Sequence, residues 1–151
     1  MQINLKTAAN ACVALLIAGM FGQLVAAPVH ETKAGVAVLH GGVGFEERAA
    51  IEQKAADYNL KLTFARKGSG AYLFGIKVVV RNKQGAVLVD TTTSGPLLLA
   101  KLPDGDYTVS ATERDITLTQ NIAIKGGARR DWVFRFDLPQ GAEPELTAGK
   151  E

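Results

Sequence analysis

Cysteine is nearly absent from this chain. The single one, Cys12, stands inside an apolar N-terminal stretch, so the remainder has no thiol for a disulfide, a thiolate nucleophile or a zinc knot. Histidine is almost as scarce: His30 and His40 are the whole supply, and neither falls in an H-E-x-x-H or other metal-ligand spacing. Charge of one sign is missing too, with 17 Lys and Arg against 15 Asp and Glu. A chain so balanced lacks the basic field that nucleic acid or an anionic membrane requires. There is no G-x-S-x-G, and Gly68-Ser69-Gly70 lacks the strand–turn–helix setting of a nucleophile elbow. Gly41-Gly42-Val43-Gly44 precedes a helical pattern but carries no Lys-Ser/Thr, and Glu46 and Glu47 would repel a bound phosphate. These absences lead us to expect no catalytic, cofactor or metal site, and no enzyme.

Two acidic pairs have plain structural readings. Asp104/Asp106 belongs to a Pro-Asp-Gly-Asp turn, and Glu46/Glu47 suits the first turn of a helix. His40 closes a short strand before glycines, where a surface position is expected. Arg129-Arg130 reads as edge charge that discourages strand-to-strand association.

What is present begins with a leader. Lys6 is the only charge in the first 30 residues, Ala8 to Gly22 is apolar, and small residues lead to Ala26-Ala27-Pro28. That order describes a secretory signal peptide over 1–26, with Pro28 disfavouring a cut directly before it. A bilayer span needs about 20 predominantly apolar residues, which this run barely approaches. Cleavage removes Cys12 and Lys6, leaving 16 basic against 15 acidic residues. We therefore expect a periplasmic protein with no membrane span after cleavage.

Residues 27–43 read as a polar lead-in with room for a short strand at Gly35 to His40. Over 44–59, FEERAAIEQKAADY has helix formers, acids at its start and no Gly or Pro. Gly44 fits the N-cap, Asn59 a left-handed stop, and Ile51, Ala55 and Tyr58 an apolar stripe at i, i+4 and i+7. From residue 60 the period falls to two, and seven strands separated by turn signals follow to residue 137, the signature of an antiparallel sandwich. Leu60, Leu62 and Phe64 share one face. Ile116, Leu118, Ile122 and Ile124 share another, as do Trp132, Phe134 and Phe136, which are expected to face the core. Residues 138–151, with two Pro and two Gly, read as a disordered tail.

The hairpin IKVVVRNKQGAVLVD and the following LLLAKLPDGDYTVSA resemble the carboxypeptidase regulatory-like domains. In the second piece a strand ends in Leu-Pro-Asp-Gly-Asp, and Tyr107 leads the next. The GGVGFEER, YNLKLTFA and GSGAYL segments look like those of small exported bacterial proteins that carry this domain without an assigned activity. The resemblance implies a seven-stranded, antiparallel, prealbumin-like Greek-key sandwich, here with one N-terminal helix packed on an open face or edge. The prealbumin-like hydroxyisourate hydrolases rely on His and Arg residues and a C-terminal Tyr-Arg-Gly-Ser. This chain lacks that ending and has no His beyond position 40.

The functional expectation is a non-catalytic binding or structural module of the periplasm. It would recognise another envelope protein through a strand edge or through the loops at 67–72 and 91–96, with Lys67, Ser69, Tyr72, Phe74, Thr92, Thr93 and Ser94 as contact residues. A small-ligand, carbohydrate-type module using Tyr72 and Phe74 is the second reading, and a hydrolase the remote third.

Overall fold

The computed structural model of the protein describes residues 29–139, with side chains from residue 34 onward. The leader over 1–26, and the tail from residue 140 onward, lie outside the described residues. The chain runs β1 (Val29–Lys33), β2 (Val36–Gly41), α1 (Phe45–Lys54), a 3-10 turn (Ala55–Asp57), β3 (Leu60–Arg66), β4 (Lys77–Asn82), β5 (Val87–Thr92), β6 (Leu97–Lys101), β7 (Gly105–Glu113), β8 (Ile116–Ile124) and β9 (Arg130–Phe136). It is mainly β, with one helix. Among the described residues no helix is long and apolar enough to cross a membrane.

The strands form two sheets, one ordered β1-β2-β6-β3-β9 and the other β5-β4-β7-β8. Two expectations need correction. The seven strands expected after the helix are β3–β9, and the short strand expected at Gly35 to His40 is β2. Among the described residues, however, the sandwich holds nine strands rather than seven, because the lead-in also supplies β1, turning into β2 at Ala34 and Gly35 with positive φ at both. Val36 and Val38 of β2 bury against the core. Nor is the sandwich wholly antiparallel: β3 and β9 pair in parallel from Leu60↔Arg130 to Arg66↔Phe136.

The registers define the two ends of the sandwich. Val29, Gly41, Arg66, Leu97 and Phe136 gather at one end of the larger sheet. Lys77, Thr92, Thr112 and Ile116 gather at the matching end of the other. This end carries the loops at 42–44, 67–76 and 93–96, and the chain both enters and leaves the sandwich there.

Between the sheets lies the main core. Val38, Leu60, Leu62, Phe64, Leu98, Phe134 and Phe136 from one sheet meet Val78, Val80, Val89, Val109, Ala111, Ile122 and Ile124 from the other. Phe64 and Phe134 stack, ring centroids 5.9 Å apart. The expected Trp132/Phe134/Phe136 stripe divides: both Phe are buried, whereas Trp132 is 41% exposed at the start of edge strand β9, where the facing sheet no longer covers it. The tail expectation also shifts, since Leu138 packs into the core.

α1 lies on the outer face of the larger sheet. Ile51, Ala55 and Tyr58 do form its packing stripe, closing over Leu39 of β2 and Leu97 and Leu99 of β6. β6 is thus buried on both faces, which explains its unbroken Leu97-Leu98-Leu99-Ala100 run. The helix starts at Gly44 as expected, but Asn59 is not its left-handed stop. The last turn tightens into the 3-10 segment, and among the described residues only Ala34 and Arg114 combine a side chain with positive φ. Asn59 instead clamps Leu102, donating Nδ2 to its carbonyl at 2.7 Å and accepting its N–H at 2.8 Å.

The Leu-Pro-Asp-Gly-Asp-Tyr segment closes the opposite end. Tyr107 is buried, and its hydroxyl donates to the Pro103 carbonyl at 2.6 Å, the geometry of a tyrosine corner. Burial, and then the Asp104 carboxylate, push this phenol above its ordinary pKa. The folded state therefore holds the proton more tightly, and the phenol's contribution is intact below about pH 10 and lost as pH rises through the folded value. Tyr107→Phe should cost about 1 kcal/mol in urea unfolding at pH 7. That gap should stay flat up to about pH 9 and narrow above it.

Candidate functional site

The loop end of the sandwich is built around a buried histidine. His40 ends β2 and is 3% exposed, contrary to the surface position expected for it. Its Nδ1 accepts the Ser94 N–H at 3.1 Å and lies 3.1 Å from the Ser94 hydroxyl, while Nε2 lies 3.4 Å from the Thr91 hydroxyl. These contacts hold the 93–96 loop against β2. Gly95 completes the seam. A Cβ there would run into the Gly41 carbonyl and the Gly42 nitrogen, so the loop approaches β2 as closely as main chain permits.

The 67–76 loop is fixed by main chain and by Thr93. Its segment 71–73 returns beside β3, with the Ala71 carbonyl taking the Arg66 N–H at 2.8 Å and Leu73 N–H reaching Phe64 at 3.0 Å. Thr93, 2% exposed, exchanges backbone bonds with Gly75 and Ile76, and its hydroxyl accepts the Ile76 N–H at 3.2 Å. Leu73 turns into the core, which leaves its neighbours Tyr72 and Phe74 facing outward.

Glu47 sets the start of α1. It is 3% exposed, and its Oε2 accepts the Val43 N–H at 2.8 Å, one residue outside the N-cap. This fixes the entry angle of the helix, much as a capping box does. One consequence is an exposed apolar tip at Val43 and Phe45. The other is the placement of Arg48, whose guanidinium sits over the Tyr72 ring, 5.2 Å from its centroid.

Seven contact residues were expected, and all fall at this end. Tyr72 and Phe74 stand exposed; Lys67 pairs with Asp137 at 3.2 Å; Ser69 accepts the Ala71 N–H in its own turn. Thr92 is exposed. Thr93 is buried and Ser94 exposed, yet both hydroxyls are engaged by the protein itself, with the Ile76 N–H and with His40, and position the loops. Sequence reasoning passed over Val43, Phe45 and Arg48. Phe45 lies off the Ile51/Ala55/Tyr58 stripe, a sign of exposure that was legible. The Arg48–Tyr72 contact joins helix to loop and leaves no trace in local pattern.

Among the described residues no three of His, Cys, Asp and Glu come together in a way that could hold a metal ion. Open grooves of about 420 and 400 Å³ lie at the opposite end, around Asn82, Asp106 and Tyr107. Neither family models, nor curated proteins, nor solved structures returned a match to this chain.

The seam at Gly95 generates a sharp expectation. Gly95→Ala should destabilise by about 3 kcal/mol, read from the midpoint of urea unfolding, because the obstructing atoms are backbone and cannot rotate away.

Proposed function

We propose that the protein is a non-catalytic binding module of the cell envelope, whose contact surface for another envelope protein is the loop end of the sandwich. The observation that carries this reading is the placement of apolar side chains. Among the described residues five large ones stand exposed, and Val43, Phe45, Tyr72 and Phe74, four of those five, belong to this end. Exposed aromatics beside an arginine are the side chains that most often anchor protein interfaces. The loops bearing them are tied to the sheets by Thr93, Ser94 and Gly95, so little ordering would be needed on binding. The envelope compartment is supported by the leader-like order of residues 1–26.

The prealbumin-like Greek-key assignment is likewise a proposal. It draws support from the two facing sheets, from the way β6 leaves the β5–β7 neighbourhood to pair in the other sheet, and from the Tyr107–Pro103 closure. A carbohydrate-type ligand is the second reading, favoured by the exposed Tyr72/Phe74 pair alone.

The test is cross-linked affinity capture of the tagged protein from intact cells. One dominant envelope protein should be recovered, and Phe45→Ser/Tyr72→Ser should lose it while changing stability by no more than about 0.5 kcal/mol per exposed site. Capture unchanged by that variant would refute the loop-end surface. Recovery of no protein, together with a glycan bound through Tyr72, would favour the second reading.

A further inference from the structure

A free strand edge invites pairing with another chain, and folded proteins usually blunt such edges with charge, proline or a bulge. Three of the four sheet edges here are blunted. β1 carries Glu31 and Lys33; β5 carries Asp90 and faces a register irregularity at Val80/Arg81; β9 carries Arg130, Asp131 and Arg135. β8 is different. It runs nine residues, ITLTQNIAI, without a charge, a proline or a glycine, and its register with β7 is unbroken.

The strand is also symmetric in character about its centre. Folded antiparallel on itself at Gln120, it sets Ile116 opposite Ile124, Leu118 opposite Ile122, Thr119 opposite Asn121 and Thr117 opposite Ala123. The apolar pairs share the core-facing side. The outer side prolongs the neutral ladder of Thr108–Asn121, Ser110–Thr119 and Thr112–Thr117 contacts already formed with β7. Just beyond the strand the same register brings exposed Asp115 opposite exposed Lys125, once at each end.

We propose that β8 pairs with β8 of a second copy of this chain, antiparallel about a two-fold axis at Gln120, to make one continuous eight-stranded sheet. Such an interface is isologous and closes on itself. Two carbonyls of the strand, Asn121 and Ala123, now take donors from Gln120 Nε2 at 3.0 Å and Arg130 Nε at 3.2 Å. In the pair, the partner's Thr119 and Thr117 amides arrive opposite those carbonyls. A groove of about 320 Å³ runs beside the strand, between Gln120, Ile122 and Ala123 on one side and Arg130 and Trp132 on the other. The partner's Leu118 comes to its rim, covering Trp132, the exposed aromatic that the loop-end surface does not use.

Trp132 is the only tryptophan in the chain and reports directly on the seam. Sedimentation of the purified protein across concentration should show a monomer–dimer equilibrium. Trp132 emission should move to shorter wavelength as dimer forms. Thr119→Lys, on the exposed outer side, places two cations near the axis and should weaken dimerisation by about tenfold or more. Asp115→Lys alone and Lys125→Asp alone should each weaken it, and the two together should restore it, which separates an interface effect from misfolding. A monomer persisting to about 100 μM would overturn the proposal. So would a dimer indifferent to Thr119→Lys and to the charge swap, or one abolished by Phe45→Ser/Tyr72→Ser in the loops, outside the β8 seam.

Discussion

The sandwich depends on the parallel pairing of β3 with β9. β3 lies between β6 and β9 in the larger sheet, and Leu60, Leu62 and Phe64 are sealed beneath it. Its parallel partner is the last strand of the described residues, seven registered positions long. The first strand after the helix therefore cannot be completed until everything between residues 67 and 129 has been threaded into place. Pairings this distant in sequence are slow to form and reward the chain only after the loop entropy has been spent. The hairpins β4–β5 and β7–β8 are local and can form early; the larger sheet waits for its end.

That dependence also explains the helix. β2 and β3 both run antiparallel to β6, so they are parallel to each other, and the chain must travel the length of the sheet to get from one to the other. A helix over the outer face makes that return while covering Leu39, Leu97 and Leu99. Glu47 fixes where it starts and the Asn59–Leu102 clamp fixes where the chain rejoins the sheet.

What the sequence revealed follows the range of the forces involved. Strand positions after residue 60, the helical stripe and the Tyr107 corner are written in spacing of two, spacing of four and turn chemistry, all of them local. β6 showed its double burial as a run of apolar residues. Hidden from local pattern were relations between distant segments: the parallel register of β3 with β9, the burial of His40 by Thr91 and Ser94, and Arg48 over Tyr72. The lead-in misled for a related reason, since β1 is an edge strand whose polar residues carry no alternation to read. At the candidate surface, the loops were recognisable, but which hydroxyls the protein itself engages was not, because Thr93 and Ser94 differ from Thr92 only in what lies across from them.

The chain enters the sandwich at Val29 and leaves it at Pro139 on the same end that presents Phe45, Tyr72 and Phe74. A purification handle or fluorescent protein joined directly before Val29 or directly after Pro139 would therefore crowd the surface proposed for binding. The Asn82–Gly85 hairpin turn projects from the far end. A short label inserted at that turn would leave the aromatic end open, which makes it the better position for a probe or an immobilisation point.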